Sequence, residues 1–332
     1  MGRIRMTDVA RAAGVSPATV SYVLSGKRPI SEATRKRVRR IIDELGYRPN
    51  HDARALKSTR SKTIGVLASD FTEISVSEII LSIEQIACQN EYHIFFVSGM
   101  EFDYDVKEAL AFLMRRRLDG VIILFGVTSD QPVGTIGEID IPLVSINRPA
   151  SEAHPCILPD NYNGGYRAAE HLLSAGCTRV GLVTGPKERF SSRERARGFL
   201  ACLKDSGRRF PRKLQYAGDF EYDSGAAGLE RLLEVNPDMD GLFCANDMMA
   251  AGAVTAAGRL GVAVPERLKI IGFDNRDFSG LWPTPFSTLD APFEEMGRAS
   301  VNTLLSMIDG NTRETGITYI KATLVPRRST SH

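Results

Sequence analysis

From Thr63 onward, short β-rich runs alternate with helical patterns, and no other feature of the chain restricts its fold so strongly. Residues 63–68, 92–97, 118–124, 142–146, 179–184, 241–245 and 268–273 read as strands, and 75–90, 162–175 and 247–260 read as helices between them. A strand followed by a helix and another strand is the signature of a parallel sheet covered on both faces. The number of units predicts two doubly wound sheets facing one another. No Gly-x-Gly-x-x-Gly follows a first strand and no Gly-Lys-Ser/Thr phosphate loop occurs, which argues against dinucleotide and triphosphate chemistry.

The first 62 residues are different in kind. They hold fifteen Lys/Arg against five Asp/Glu, a balance of +10, whereas the rest of the 332-residue chain carries −8. Charge segregated in this way suits a small module that faces a polyanion while the rest does not. A solvated basic tail would lack apolar periodicity, and this segment has it. Thr7 reads as the N-cap of a first short helix whose apolar face is Val9, Ala10 and Ala13. Gly14 marks a tight turn, Val15 plugs the gap, and Ser16-Pro17 restarts the chain as N-cap and first helical residue. Val20, Val23 and Leu24 form the stripe of the second helix. Two short helices joined in this manner make a helix-turn-helix, whose second helix fits the major groove. Pro17, Ala18, Ser21 and Tyr22 face outward near its start and reach base edges, while the Ser16, Thr19 and Ser21 hydroxyls serve phosphates. A third helix, capped by Ser31 and stopped by Gly46, packs Val38, Ile41, Ile42 and Leu45 inward and carries Arg35, Lys36, Arg37, Arg39 and Arg40 outside.

The run Asp8-Val9-Ala10-Arg11-Ala12-Ala13-Gly14-Val15-Ser16, then Thr19-Val20-Ser21, and Tyr47-Arg48-Pro49-Asn50 with Ala53-Arg54 and Leu56 together resemble the lactose-repressor (LacI/GalR) family, and the likeness extends over the whole chain. The resemblance implies an N-terminal all-α helix-turn-helix domain, a hinge helix, and an α/β effector domain like a periplasmic binding protein. It places boundaries at 1–46, 47–62, 63–158 with 288–320, and 159–287 with 321–332. It further implies a hinge helix that forms only when two subunits lie side by side on an operator, with Leu56, supported by Ala53, wedged into the minor groove. The DNA-contacting set is then Thr7, Ser16, Pro17, Ala18, Thr19, Ser21, Tyr22, Asn50, Ala53 and Leu56. Where the family commonly has arginine after Thr-Val-Ser, this chain has Tyr22, which cannot make the bidentate contact of arginine to guanine.

Ligands of open α/β sheets bind beyond the carboxyl ends of the strands. Standing there are Ser69-Asp70, Ser98, Phe125, Asn147-Arg148, Asp160-Asn161, Phe220, Asn246-Asp247 and Asp274-Asn275, a mixture suited to a polyhydroxylated ligand. Ser192, Arg195 and Gly198-Phe199, Asn246-Asp247 and Gly272-Phe273-Asp274 resemble the family's effector motifs. That resemblance implies that Arg195 and Asp274 hold hydroxyls, that Asn246 assists, and that Phe220 stacks. The effector set is Asp70, Phe71, Asn147, Arg148, Ser192, Arg195, Phe220, Asn246 and Asp274. Asp247 reads better as a helix or turn cap. The family's frequent Asn-Pro-Phe after the first strand is replaced by Asp70-Phe71-Thr72-Glu73, which leaves the ligand's identity open. In the apolar stretch 74–87, Val76, Ile79, Ile80 and Ile83 share a face, while Ile74 and Leu81 lie off it and suit either a dimer contact or extra burial.

The expected partners are palindromic or pseudo-palindromic double-stranded operator DNA, a sugar-like effector and a second copy of the chain; no leucine heptad follows Leu324, so a dimer is expected rather than a tetramer. Five scattered cysteines read as reduced, mostly buried thiols, and no metal or cofactor is expected. With no apolar run of membrane length and no secretory leader, the chain reads as cytoplasmic. A transport solute-binding protein needs an export signal and lacks a basic helix-turn-helix. An enzyme on such sheets finds no nucleophile elbow, metal cluster or phosphate loop here.

Overall fold

A computed structural model describes residues 4–25, 28–47, 60–68, 74–125, 139–312 and 315–331. The chain divides into two units, Met1–Ser61 and Lys62–His332.

Among the described residues the first unit carries three short helices, α1 (Met6–Ala13), α2 (Pro17–Ser25) and α3 (Glu32–Leu45). Helix α1 begins two residues earlier than Thr7 implies: Arg5 is its N-cap, and the Arg5 backbone N–H donates to Asp8 Oδ2 at 2.9 Å. The carboxylate three residues into the helix answers the chain entry, and Thr7 lies exposed within the first turn. Gly14 ends α1 at φ +61°, a left-handed conformation that lets the Val15 N–H return to the Ala10 carbonyl at 3.0 Å. Ser16 caps α2 by accepting the Thr19 N–H at 3.1 Å, and Ser31 caps α3 by accepting that of Thr34. Val9, Ala10, Ala13, Val20, Val23 and Val38 form the core, joined by Tyr47, which is buried against them rather than belonging to the connector alone. Arg35 and Arg40 on the outer face of α3 pair with Glu32 and Glu44.

The second unit carries two six-stranded sheets. The first takes β1 (Thr63–Ala68), β2 (His93–Ser98), β3 (Gly120–Leu124), β4 (Leu143–Ile146), β5 (Cys156–Pro159) and β11 (Ile317–Ile320) in the order β11-β5-β4-β3-β1-β2. The second takes β6 (Val180–Thr184), β7 (Gln215–Ala217), β8 (Gly241–Cys244), β9 (Lys269–Phe273), β10 (Ser287–Asp290) and β12 (Thr323–Val325) in the order β12-β10-β9-β8-β6-β7. All recorded pairings are parallel except β10 with β12. In both sheets the chain steps outward on one side and then returns to the other, so each has a switch point, between β1 and β3 and between β6 and β8.

Helices α4 (Ile74–Gln89), α5 (Val106–Met114) and α11 (Phe293–Ile308) accompany the first sheet; α6 (Asn161–Ser174), α7 (Phe190–Asp205), α8 (Tyr222–Val235), α9 (Asp247–Arg259) and the short α10 (Asp277–Leu281) accompany the second. We refer to these halves as the first and second lobes. Buried β-branched and aromatic side chains such as Ile64, Ile122, Phe199, Phe243 and Phe273 fill the layers. The backbone passes between lobes three times, after Pro159, after Asp290 and after Ile320. The second passage comes three residues later than the boundary expected at 287/288, because β10 completes the second sheet beside β9. On α4, Val76, Ile79 and Ile83 are fully buried while Leu81 is 64% exposed. Of the five free cysteines, only Cys88 is exposed. No helix among the described residues is long and apolar enough to cross a membrane.

Candidate functional site

Two groups of residues answer to chemistry. On the helical unit, Ser16, Pro17 and Ala18 are exposed at the start of α2, and Thr19, Ser21 and Tyr22 are half-buried beside them. Ser16 and Thr19 join their hydroxyls at 2.9 Å, so one hydroxyl proton of the pair remains to donate outward. The Arg28 guanidinium lies 5.1 Å from the Tyr22 ring centroid, within cation–π range, which returns a cation to the face where Tyr22 replaces arginine. Asn50, Ala53 and Leu56 lie outside the described residues, as do Asp70 and Phe71.

The second group lies at the carboxyl edge of the second sheet. Helices α6 and α7 approach to backbone contact, because Gly165 and Gly198 have no side chain to hold them apart. That approach seats Arg195, 6% exposed, beneath the strand ends. Its Nε donates to Asn161 Oδ1 at 2.9 Å, its Nη1 to the Ala245 carbonyl at 2.6 Å, and its Nη2 stands 3.2 Å from Asp274 Oδ1. The guanidinium carbon is 3.5 Å from the centroid of the Phe273 ring. Burial draws the Arg195 pKa down and the Asp274 charge opposes it; burial likewise pushes the Asp274 carboxyl up, with Arg195 and Arg276 pulling it back. The guanidinium of this buried pair is fixed by hydrogen bonds to Asn161 and the Ala245 carbonyl as well as by the Asp274 carboxylate.

Asp274 sits at φ +109° and Asn275 at φ +53°, so the turn after β9 runs through left-handed backbone. Four contacts hold it there. The Asp274 N–H donates to the Leu289 carbonyl at 2.7 Å and that of Asn275 to Thr288 Oγ1 at 3.2 Å. The Arg276 N–H donates to Asp247 Oδ2 at 2.7 Å, and Arg327 Nη2 donates to Asn275 Oδ1 at 2.7 Å. Asp247 also accepts the Thr288 hydroxyl at 2.6 Å. It is therefore a buried clamp for this turn. It is not the cap of α9: the Asn246 side-chain Oδ1 takes that role by accepting the Met249 N–H at 2.9 Å. Burial first, then the neighbouring Asp274, push the Asp247 carboxyl up to about 8.

Asn246 uses its other end to donate to the Phe220 carbonyl at 2.8 Å. Phe220, at φ +74°, lays its ring over Gly185, where a Cβ would come within 2.2 Å. Ser192 is buried in the first turn of α7. Thus Ser192, Arg195, Phe220, Asn246 and Asp274 all belong to one edge of the second lobe. Asn147 and Arg148 come from the first lobe: Asn147, at φ +68°, donates from Nδ2 to the Phe125 carbonyl at 3.0 Å, and the Arg148 guanidinium lies 4.6 Å from the Phe125 ring centroid. A small apolar hollow lies behind Phe125, lined by Leu67, Val106 and Ile123. Contributors without a role in the sequence reading include Asn161, visible there only as a polar residue at a strand end, and Arg276, Thr288 and Arg327, for which no local signal exists.

The family described as "Bacterial regulatory proteins, lacI family" matches residues 5–50, and "Periplasmic binding protein-like domain" matches residues 169–330. The HTH-type transcriptional repressor PurR of Aliivibrio salmonicida is 32% identical over 97% of both chains, and that of Klebsiella pneumoniae (strain 342) is 30% identical over 97% of this chain and 95% of its own. Among solved structures, a lac repressor dimer bound to operator and the anti-inducer ONPF shares 27% identity with a TM-score of 0.82, covering 99% of each chain. The transcriptional regulator CelR in its cellobiose complex shares 30% identity with a TM-score of 0.70, covering 98% of this chain and 100% of its own. Helix-turn-helix unit, paired parallel sheets and full-length likeness agree: the chain belongs to the LacI family and is a DNA-binding bacterial regulator.

Proposed function

We propose that this regulator is a homodimeric, cytoplasmic transcriptional repressor whose operator affinity is set by a small polyhydroxylated effector, a sugar, bound between the two lobes. The observation that carries the reading is the buried Arg195–Asp274 pair, fixed at the carboxyl edge of the second sheet beside Asn246 and Phe220. A carboxylate and guanidinium in fixed register bind vicinal hydroxyls, and an aromatic ring covers the apolar face of a pyranose. The cellobiose complex of CelR supports the sugar class by likeness. In this reading residues 1–46 read DNA, 47–62 form the hinge, and the two lobes are the effector domain.

Ser16, Pro17, Ala18, Thr19, Ser21 and Tyr22 contact the operator in the major groove, with Thr7 and Asn50 on the backbone. Leu56 and Ala53 act in the minor groove. Effector binding changes the relation of the lobes and with it the population of paired hinge helices, a coupling of about 1–3 kcal/mol. The protein does no chemistry on its ligand.

Thermal-shift screening against a panel of sugars and nucleosides, followed by operator titration with each hit at fixed salt, tests this. A sugar should raise the Tm and alter operator affinity about 5- to 150-fold. Stabilisation by nucleosides alone would overturn the sugar assignment, and turnover of a hit would overturn the sensor reading.

A further inference from the structure

Arg276 follows the effector turn by two residues, yet its side chain leaves the second lobe. Its Nη1 lies 2.6 Å from Glu78 Oε1 on α4 of the first lobe, 198 residues away in sequence. Its guanidinium lies 5.2 Å from the centroid of Phe293, the first residue of α11 after the chain has crossed back to the first lobe. Both anchors are thus first-lobe groups, while the Arg276 backbone N–H is tied to Asp247 in the second. The side chain of Arg276 is 13% exposed and that of Glu78 45%.

The surroundings make the contact more than a surface pair. Asp274, Asp277 and Asp290 of the second lobe all act on Glu78 and disfavour its charge, as burial does first of all, while Arg276 favours it. Glu78 therefore lies in the field of three carboxylates, and Arg276 is the cation that offsets them. Remove the cation and like charges face one another across the cleft.

We propose that Glu78 and Arg276 form an interlobe clasp that positions the Asp274 turn against the first lobe, so that the state of the cleft and the placement of α4 are linked. The role in effector response rests on the effector reading of the cleft; the clasp itself does not.

The test uses the full-length chain, with Cys88→Ser and spin labels on Lys107→Cys (first lobe) and Lys204→Cys (second lobe), in parent, Glu78→Gln, Arg276→Gln and Glu78→Gln/Arg276→Gln backgrounds. Interlobe distance distributions are read together with amide exchange of residues 275–277. Both single variants should broaden the distribution and speed exchange about fivefold. Arg276→Gln should do so more than Glu78→Gln, since it leaves the carboxylates opposed. In Glu78→Gln/Arg276→Gln the neutral residue 78 meets no repulsion, so both readouts should match Glu78→Gln and lie below the sum of the single effects, whereas losses of packing would add. Single variants with parental distributions, or a double variant whose effects are the sum of the two singles, would overturn the clasp. If Arg276→Gln fails to fold, Glu78→Gln and the double variant decide alone. No effector enters these measurements, so a cleft that binds no sugar would remove the proposed effector and leave the clasp standing.

Discussion

Gly165 on α6 lies so near the backbone of Arg195 on α7 that a Cβ at position 165 would stand 1.9 Å from the Arg195 carbonyl oxygen. The reciprocal relation holds between Gly198 and the Tyr162 carbonyl, again at 1.9 Å. The same device recurs between α8 and α9, where Gly225 and Gly252 face the Met249 and Tyr222 carbonyls at 2.0 Å. Backbone contact between α6 and α7 is what brings Arg195 within reach of Asn161, so the helix seam and the binding residue are one construction. Gly165→Ala should therefore cost about 1–3 kcal/mol through forced helix separation. Gly258→Ala, at an exposed helical position with open space around it, should instead gain about 0.5–1 kcal/mol. Urea denaturation of the two variants against the parent checks the contrast, and a neutral Gly165→Ala would contradict the close seam.

Arg195 and Asp274 make a second expectation. Arg195→Ala strands a buried carboxylate and should destabilise by about 3–5 kcal/mol, whereas Arg195→Ala with Asp274→Ala should recover part of that loss. Chemical denaturation of both singles and the double measures the coupling. Additive losses would mean that the two side chains contribute independently.

The buried Asp247 carboxyl gives stability a pH slope. Its native pKa, about 8, lies above the ordinary carboxylate value of 3.8. Below the unfolded-state value both states hold the proton and the contribution is fully present. As pH rises toward 8 the unfolded chain ionises while the folded one resists, and the contribution is lost. Asp247→Asn cannot titrate, so its stability relative to the parent should rise by about 1 kcal/mol or more between pH 5 and pH 8. Thermal or urea unfolding across that range reads the sign directly; a relative fall would reverse the assignment.

On the helical unit, Ser16→Ala removes the cap of α2 and should cost about 1 kcal/mol of that unit's stability. It should also weaken operator binding at fixed salt. Retained operator affinity in a destabilised variant would limit Ser16 to capping.

Leu56→Ala should weaken specific operator binding while leaving effector affinity intact, because the wedge belongs to the DNA complex alone. Parallel titrations of operator and of any thermal-shift hit separate the two effects. Equal operator binding by variant and parent would count against the hinge reading.

Much of the second unit was legible in the sequence. The seven expected strands and three expected helices stand within two residues of their observed bounds, because parallel strands buried on both faces are apolar runs. Of the strands that the sequence pattern does not show, Cys156–Pro159 is a buried apolar run of only four residues closed by a proline, and the others lack that signal. Gln215–Ala217, Ile317–Ile320 and Thr323–Val325 are short strands at sheet edges with no fully buried residue. Ser287–Asp290 is buried yet begins with two hydroxyl residues, whose oxygens bond to Thr330, the Arg327 carbonyl and Asp247 in place of apolar packing. Thr7 is a plausible cap in the sequence because a threonine can cap wherever its backbone is extended, but it lies inside α1, and Asp8 accepts the Arg5 N–H at the helix start instead. Arg195, Asn246 and Asp274 were readable as motifs. Their support by Asp247, Thr288 and Arg327 was not, since those partners are assembled by topology from distant segments.

The triple passage of the backbone has a consequence for synthesis. Leu304 of α11 presses on Gly120 of β3, and β11 supplies the outer strand beside β5, so the first lobe lacks a covering helix and an edge until residues near 320 have left the ribosome. The helical unit is complete some 260 residues earlier. A nascent chain thus exposes a finished DNA-reading module tethered to an unfinished lobe, and the two lobes reach completion almost together, within a few residues of one another.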